Sequence, residues 1–139
     1  METFLNYYQK TIQQQIAAAD VFLRTEPQPF PLKKAAKILH ISVEEATRIL
    51  QKNGNKAIDK DDFLHLMQQG STPFCRMFRR ELESGLPKAY TAEQISFIYD
   101  LDISVVLCAM ERIGFSKVQE PLLPLLFDAI PLSDTQYRL

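Results

Sequence analysis

The sequence predicts an all-α fold: an N-terminal amphipathic helix, then two tandem three-helix units, each opening with a helix, a tight turn and a second helix, with a linking helix between them. Three observations predict it. Apolar residues recur at the three-and-four spacing of a helix with one buried face. Helix-start signals recur as well: Ser42 with Glu45, Asp59 with Asp62 and Thr91 with Gln94 all have the spacing of a capping box. Strand signals are scarce, since no Asn-Gly or Asp-Gly turn sits between alternating apolar runs.

A chain of 139 residues that is 46% hydrophobic can bury a core without disulfides or metal. Sixteen basic against seventeen acidic residues give a formal charge of -1, so no global positive field draws the chain to nucleic acid or anionic lipid. Any such contact has to come from a local patch. Cys75 and Cys108 lie far apart, inside predicted helices and outside any CxxC spacing, which fits structural thiols in a reducing compartment. The opening METFLNYYQKTIQQQ has glutamine and lysine where a signal peptide needs an apolar run. No segment approaches the roughly 18 apolar residues of a membrane span. Cytoplasmic residence and no membrane partner are the expectation.

Taken in order, residues 1–25 form the N-terminal helix, with Phe4, Leu5, Tyr8, Ile12, Ile16, Ala19, Phe22 and Leu23 on its apolar face. Such a stripe needs a hydrophobic surface to dock on, and the apolar face of helix 103–113 is the candidate, in the same chain or in a dimer mate. TEPQPFP then ends the helix, because its prolines remove donors and disfavour helical geometry before them. Helices follow at roughly 32–39, 43–53, 60–69, 74–84, 92–99, 103–113 and 120–130, with boundaries good to about two to four residues. Gly54, Gly85 and Gly114 fall where left-handed C-terminal caps are expected. The divisions are 26–70 for the first unit, 71–88 for the linking helix, 89–132 for the second unit and 133–139 for a tail.

Laying Gly54 over Gly114 aligns the two units without a gap. Ala35 meets Ile95, Ile41 meets Leu101, Ala46 meets Val106, Leu50 meets Met110, Ile58 meets Val118, Phe63 meets Leu123 and Leu66 meets Leu126. In both copies a helix ends at His40 or Asp100, one apolar residue plugs the core, and Ser42 or Asp102 caps the next helix. The first copy, in LKKAAKILHISVEEATRIL followed by AIDKDDFLHLM, resembles the helix-turn-helix of the excisionase and MerR-like families over residues 31–67, with a diverged second copy at 91–127. Ala35 and Ala36, Ile41 and Ser42, and Ile58 with Asp61 and Asp62 carry the likeness. The family's long basic wing is reduced here to Asn53 through Ala57. The resemblance implies double-stranded DNA as a partner.

On such a scaffold Thr47, Arg48 and Gln51 face outward from the second helix, where Arg and Gln are types that read base edges. Lys33, Lys34, Lys37 and Lys52, with Arg76 and Arg80 on the linking helix, are candidate phosphate contacts. Glu44 and Glu45 oppose this from the helix start. The equivalent face of the second copy is largely apolar, so Val105 and Leu107 join Leu5, Tyr8, Ile12 and Phe22 as candidate protein-interface residues. No catalytic constellation is recognisable. His40 and His65 lack ligand-spaced companions, and Asp59, Asp61 and Asp62 lack the glycine and distal glutamate of a calcium loop. The expectation is a non-enzymatic accessory or regulatory DNA-binding protein without cofactor, metal or small-molecule substrate. The alternative is a protein-interaction module or homodimer on the same scaffold without DNA binding.

Overall fold

The computed structural model describes residues 1–51 and 57–139 and is all-α apart from two two-residue strand pairs. Its elements are α1 (Phe4–Tyr7), a π-helical turn (Tyr8–Ile12), α2 (Gln13–Thr25), β1 (Phe30–Pro31), α3 (Leu32–Ile38), α4 (Val43–Leu50), β2 (Ala57–Ile58), α5 (Lys60–Gln69), α6 (Pro73–Glu83), β3 (Ala89–Tyr90), α7 (Ala92–Tyr99), α8 (Ile103–Ile113), β4 (Val118–Gln119) and α9 (Leu123–Asp128). Short 3-10 turns precede and follow α9 at Glu120–Leu122 and Leu132–Asp134. Among the described residues no helix is long and apolar enough to cross a membrane.

Two compact units emerge: a middle unit of residues 12–79, and a terminal unit that joins 1–11 to 80–139. The expected N-terminal and linking helices are therefore divided between units rather than forming segments of their own. In the middle unit α2 packs on α3, α3 on α4 and α4 on α5. Phe30 pairs with Ile58 across the antiparallel strands, and both are buried. Phe22, Phe30 and Phe63 form its aromatic centre, with Phe22 and Phe63 stacked at 5.1 Å.

The terminal unit repeats the order. Tyr90 pairs with Val118 in the register of Phe30 with Ile58, and α7 packs on α8 and α8 on α9. Ala35 and Ile95, Ala46 and Val106, Phe63 and Leu123, and Leu66 and Leu126 are all buried. The strands escaped sequence reading because a two-residue pair has no periodicity, only a partner elsewhere in the chain.

The turn between the helices is the same in both copies. His40 has φ 60° and Asp100 φ 53°, the left-handed region. In the first copy the His40 amide donates to the Lys37 carbonyl and the Ile41 amide to Ala36, a Schellman closure. Leu101 to Ser96 repeats the second bond. Ile41 and Leu101 are buried directly after the turn. Ser42 and Asp102 then start the next helices, accepting from the amides of Glu45 and Ser104. The expected capping box at Ser42 is half made, because the Glu45 carboxylate goes elsewhere. Asp59 with Asp62 and Thr91 with Gln94 make the full box.

The N-terminal helix docks, but on different surfaces from the one expected. In the terminal unit α1 packs against α9, and the Phe4 amide donates to the Ile130 carbonyl at 2.8 Å. Phe4 is fully buried in an aromatic cluster with Tyr7, Tyr8, Tyr99, Phe127 and Tyr137. The C-terminal segment closes the cluster: Tyr137 stacks on Tyr7 at 4.6 Å and donates to the Tyr99 carbonyl at 2.5 Å. In the middle unit α2 packs on α3, and Ile12 at the end of the π turn, Ala19 and Phe22 are buried. Between Tyr7 and Ile12 the buried positions step by five through the π turn, so the two halves bury different stripes and Ile16 is left 43% exposed.

Substitutions at two positions test this account. A Cβ at Gly70 would meet Cys75 Sγ at 2.6 Å and the Leu66 carbonyl at 3.0 Å, so Gly70→Ala is expected to cost about 1–3 kcal/mol in urea melts, as overpacking does. His40→Val should cost about 1–2 kcal/mol, because a β-branched residue is strained at this φ. His40→Gly should be tolerated.

Candidate nucleic-acid interface

The middle unit carries ten basic and seven acidic residues, a formal +3, while the terminal unit carries six and ten, a formal -4. The near-neutral chain thus divides into a basic and an acidic unit. On α3, Lys33, Lys34 and Lys37 are exposed. Lys33 and Lys37 are four apart and neighbours on one helix face, whereas Lys34 is engaged by Glu26. On α4, Arg48 is exposed and Thr47 half-buried, and Gln51 caps the helix in the left-handed region at φ 55°. Because α3 and α4 pack directly together, these two sets occupy neighbouring helices. Lys52 and most of the shortened wing lie outside the described residues.

Arg76 and Arg80 have different settings. Arg76 is exposed in the middle unit. Arg80 is half-buried in the terminal unit, where it donates to the Ile98 carbonyl at 3.3 Å, near the end of α7. A cation there satisfies carbonyls at the negative end of a helix. Arg79 does similar work in the middle unit, donating to the Gln68 carbonyl at 2.9 Å.

The two acids at the start of α4 also differ. Glu44 is exposed, while Glu45 accepts from the Ser71 amide and hydroxyl, both at 2.9 Å. Ser71 is the residue that sequence reasoning missed. Nothing local in the sequence signals a partner twenty-six residues away.

Among the candidate interface residues, Ile12 and Phe22 are buried, and Leu5, Tyr8 and Val105 are half-buried. Leu107 is 52% exposed. It shares the outer side of α8 with Ile103, Ser104, Cys108 and Glu111, all exposed. Cys75 is buried and burial pushes its thiol pKa up, so it is an inert core group. Among the described residues no group of three potential ligands is placed to hold a metal ion. Comparison with family models, with curated proteins and with solved structures finds no match for this chain.

One polar cluster has measurable consequences for stability. In the terminal unit the Tyr90 hydroxyl donates to Glu81 Oε1, while Glu81 Oε2 is buried without a hydrogen-bond partner. Burial raises the Glu81 pKa above its ordinary 4.5, the Tyr90 bond offsets part of this, and Glu120 raises it further. A carboxyl whose pKa is raised in the folded state favours folding while protonated, and that contribution is lost as pH rises through the folded value. Glu81→Gln should therefore gain melting temperature relative to the parent as pH rises from 4.5 towards neutrality. Parallel thermal melts across that range would show a constant offset if Glu81 titrated normally.

Proposed function

We propose that this chain is a small accessory or regulatory DNA-binding protein that presents its first helix-turn-helix-like unit to a duplex. The observation that carries the reading is the contrast at equivalent positions of the two copies. Where α3 and α4 expose Lys33, Lys37, Arg48 and Gln51, α7 and α8 expose Glu93, Phe97, Cys108 and Glu111. Core burial does not select surface residues, so the basic and amide side chains of the first copy reflect a demand made by something outside it. A polyanion meets that demand through phosphate contacts from lysines and base-edge contacts from Arg48 and Gln51.

The second reading, a protein-interaction module without DNA contact, is favoured by the exposed Glu44 at the start of α4, the end of such a helix that usually enters the groove. Salt dependence separates the two. Lys37→Ala with Arg48→Ala should weaken duplex binding at low salt and flatten the plot of log affinity against log salt by about one to two units of slope. Fluorescence anisotropy with a labelled duplex of mixed sequence is the measurement. An intact, folded protein that binds no duplex above background at low salt leaves the interaction-module reading in place.

A further inference from the structure

We propose that the outer face of α8, with the exposed part of α7, is a docking surface for an amphipathic helix whose apolar stripe is flanked by lysine or arginine. Ile103 and Leu107 stand four apart on α8, 39% and 52% exposed, and Phe97 on the helix packed against it is 48% exposed. Core-facing Val106, Ala109 and Met110 already fill the other side of α8. These apolar groups are therefore not needed by the fold. Neither chain end of the terminal unit is placed on them: Phe4 is held by Ile130 and Phe127, and Tyr137 by Tyr7 and Tyr99.

Charge identifies the occupant. Glu111 lies one turn beyond Leu107, Glu93 one turn before Phe97, and Asp102 caps α8 at its start; all three are exposed. The basic residue on this helix, Arg112, donates to the Ala129 carbonyl at 3.3 Å. With the unit at a formal -4, exposed apolar groups that each have a carboxylate within about one turn match a helix with cationic flanks. A second copy of this chain pairing through this face is a poor match, because a two-fold arrangement sets one carboxylate-bearing face against another.

The test uses the full chain and two synthetic amphipathic helices, one of Leu, Ala and Lys and one with Glu replacing every Lys. Cys108 is a built-in reporter, since it is the exposed thiol on this face and Cys75 is buried. The lysine peptide should bind, shift the amide resonances of α8 and slow alkylation of Cys108, while the glutamate peptide does neither. Leu107→Asp and, independently, Glu111→Lys should each weaken the lysine peptide by about tenfold or more. Leu64→Asp, an exposed position in the middle unit, should leave binding unchanged. Equal binding of both peptides, absence of binding, unaltered Cys108 alkylation in the complex, or dimerisation of the free chain through Leu107 would each overturn the proposal. Duplex binding by the middle unit does not enter any of these outcomes.

Discussion

Each copy of the repeat depends on one backbone residue held in a left-handed conformation. At His40 and Asp100 the chain leaves a helix with φ near 60°, which turns it sharply enough for the next residue, Ile41 or Leu101, to be buried and the one after to cap a new helix. The amides of His40 and Ile41 in one copy, and of Asp100 and Leu101 in the other, close carbonyls that the ended helix would otherwise leave open. Without that turn the second helix could not lie on the first. Histidine and aspartate accept the position at a cost that glycine would largely avoid, and Asp100 recovers part of it by accepting from Gln136. A turn this constraining gives both copies the same frame whatever their surfaces carry.

The helices were legible in the sequence because their signals are local. Apolar spacing located α3 to α8 within a residue or three, and the cap signals at Asp59, Thr91 and Asp102 make the bonds they imply. What was not legible depends on partners distant in the chain. The N-terminal helix read as one stripe, but the π turn at Tyr8–Ile12 resets its face, and Tyr7 is buried against a C-terminal tyrosine that no spacing rule connects to it. Residues 133–139 read as a tail because their composition is polar. Three of them, Thr135, Gln136 and Tyr137, are instead tied down by hydrogen bonds, two of those residues reaching Tyr99 and Asp100. The candidate site was partly legible for the same reason: exposure of Lys33, Lys37 and Arg48 follows from helical phase, whereas the left-handed cap at Gln51 and the engagement of Arg80 with Ile98 do not.

The duplicated frame also separates what the core requires from what the surface does. Ala35 and Ile95, or Phe63 and Leu123, differ in size yet are all buried, so each copy packs its own interior around a similar turn and strand pair. Interiors constrained in this way leave the outer faces independent. The formal +3 of the middle unit and -4 of the terminal unit show that independence in charge as well as in sequence.

The fate of Glu45 bears on how a duplex would meet the middle unit. Acids in the first turn of α4 suit the positive end of the helix, and two free carboxylates there would set up a strong barrier to phosphate. Ser71 donates twice to Glu45 and fixes where that carboxylate sits without neutralising it, and Glu44 is exposed in the same turn. The residues suited to base edges lie one turn further on, at Thr47, Arg48 and Gln51, and the lysines suited to phosphates lie on α3. A duplex bound by this unit would accordingly be read from the middle and C-terminal end of α4, with its first turn held back from the groove.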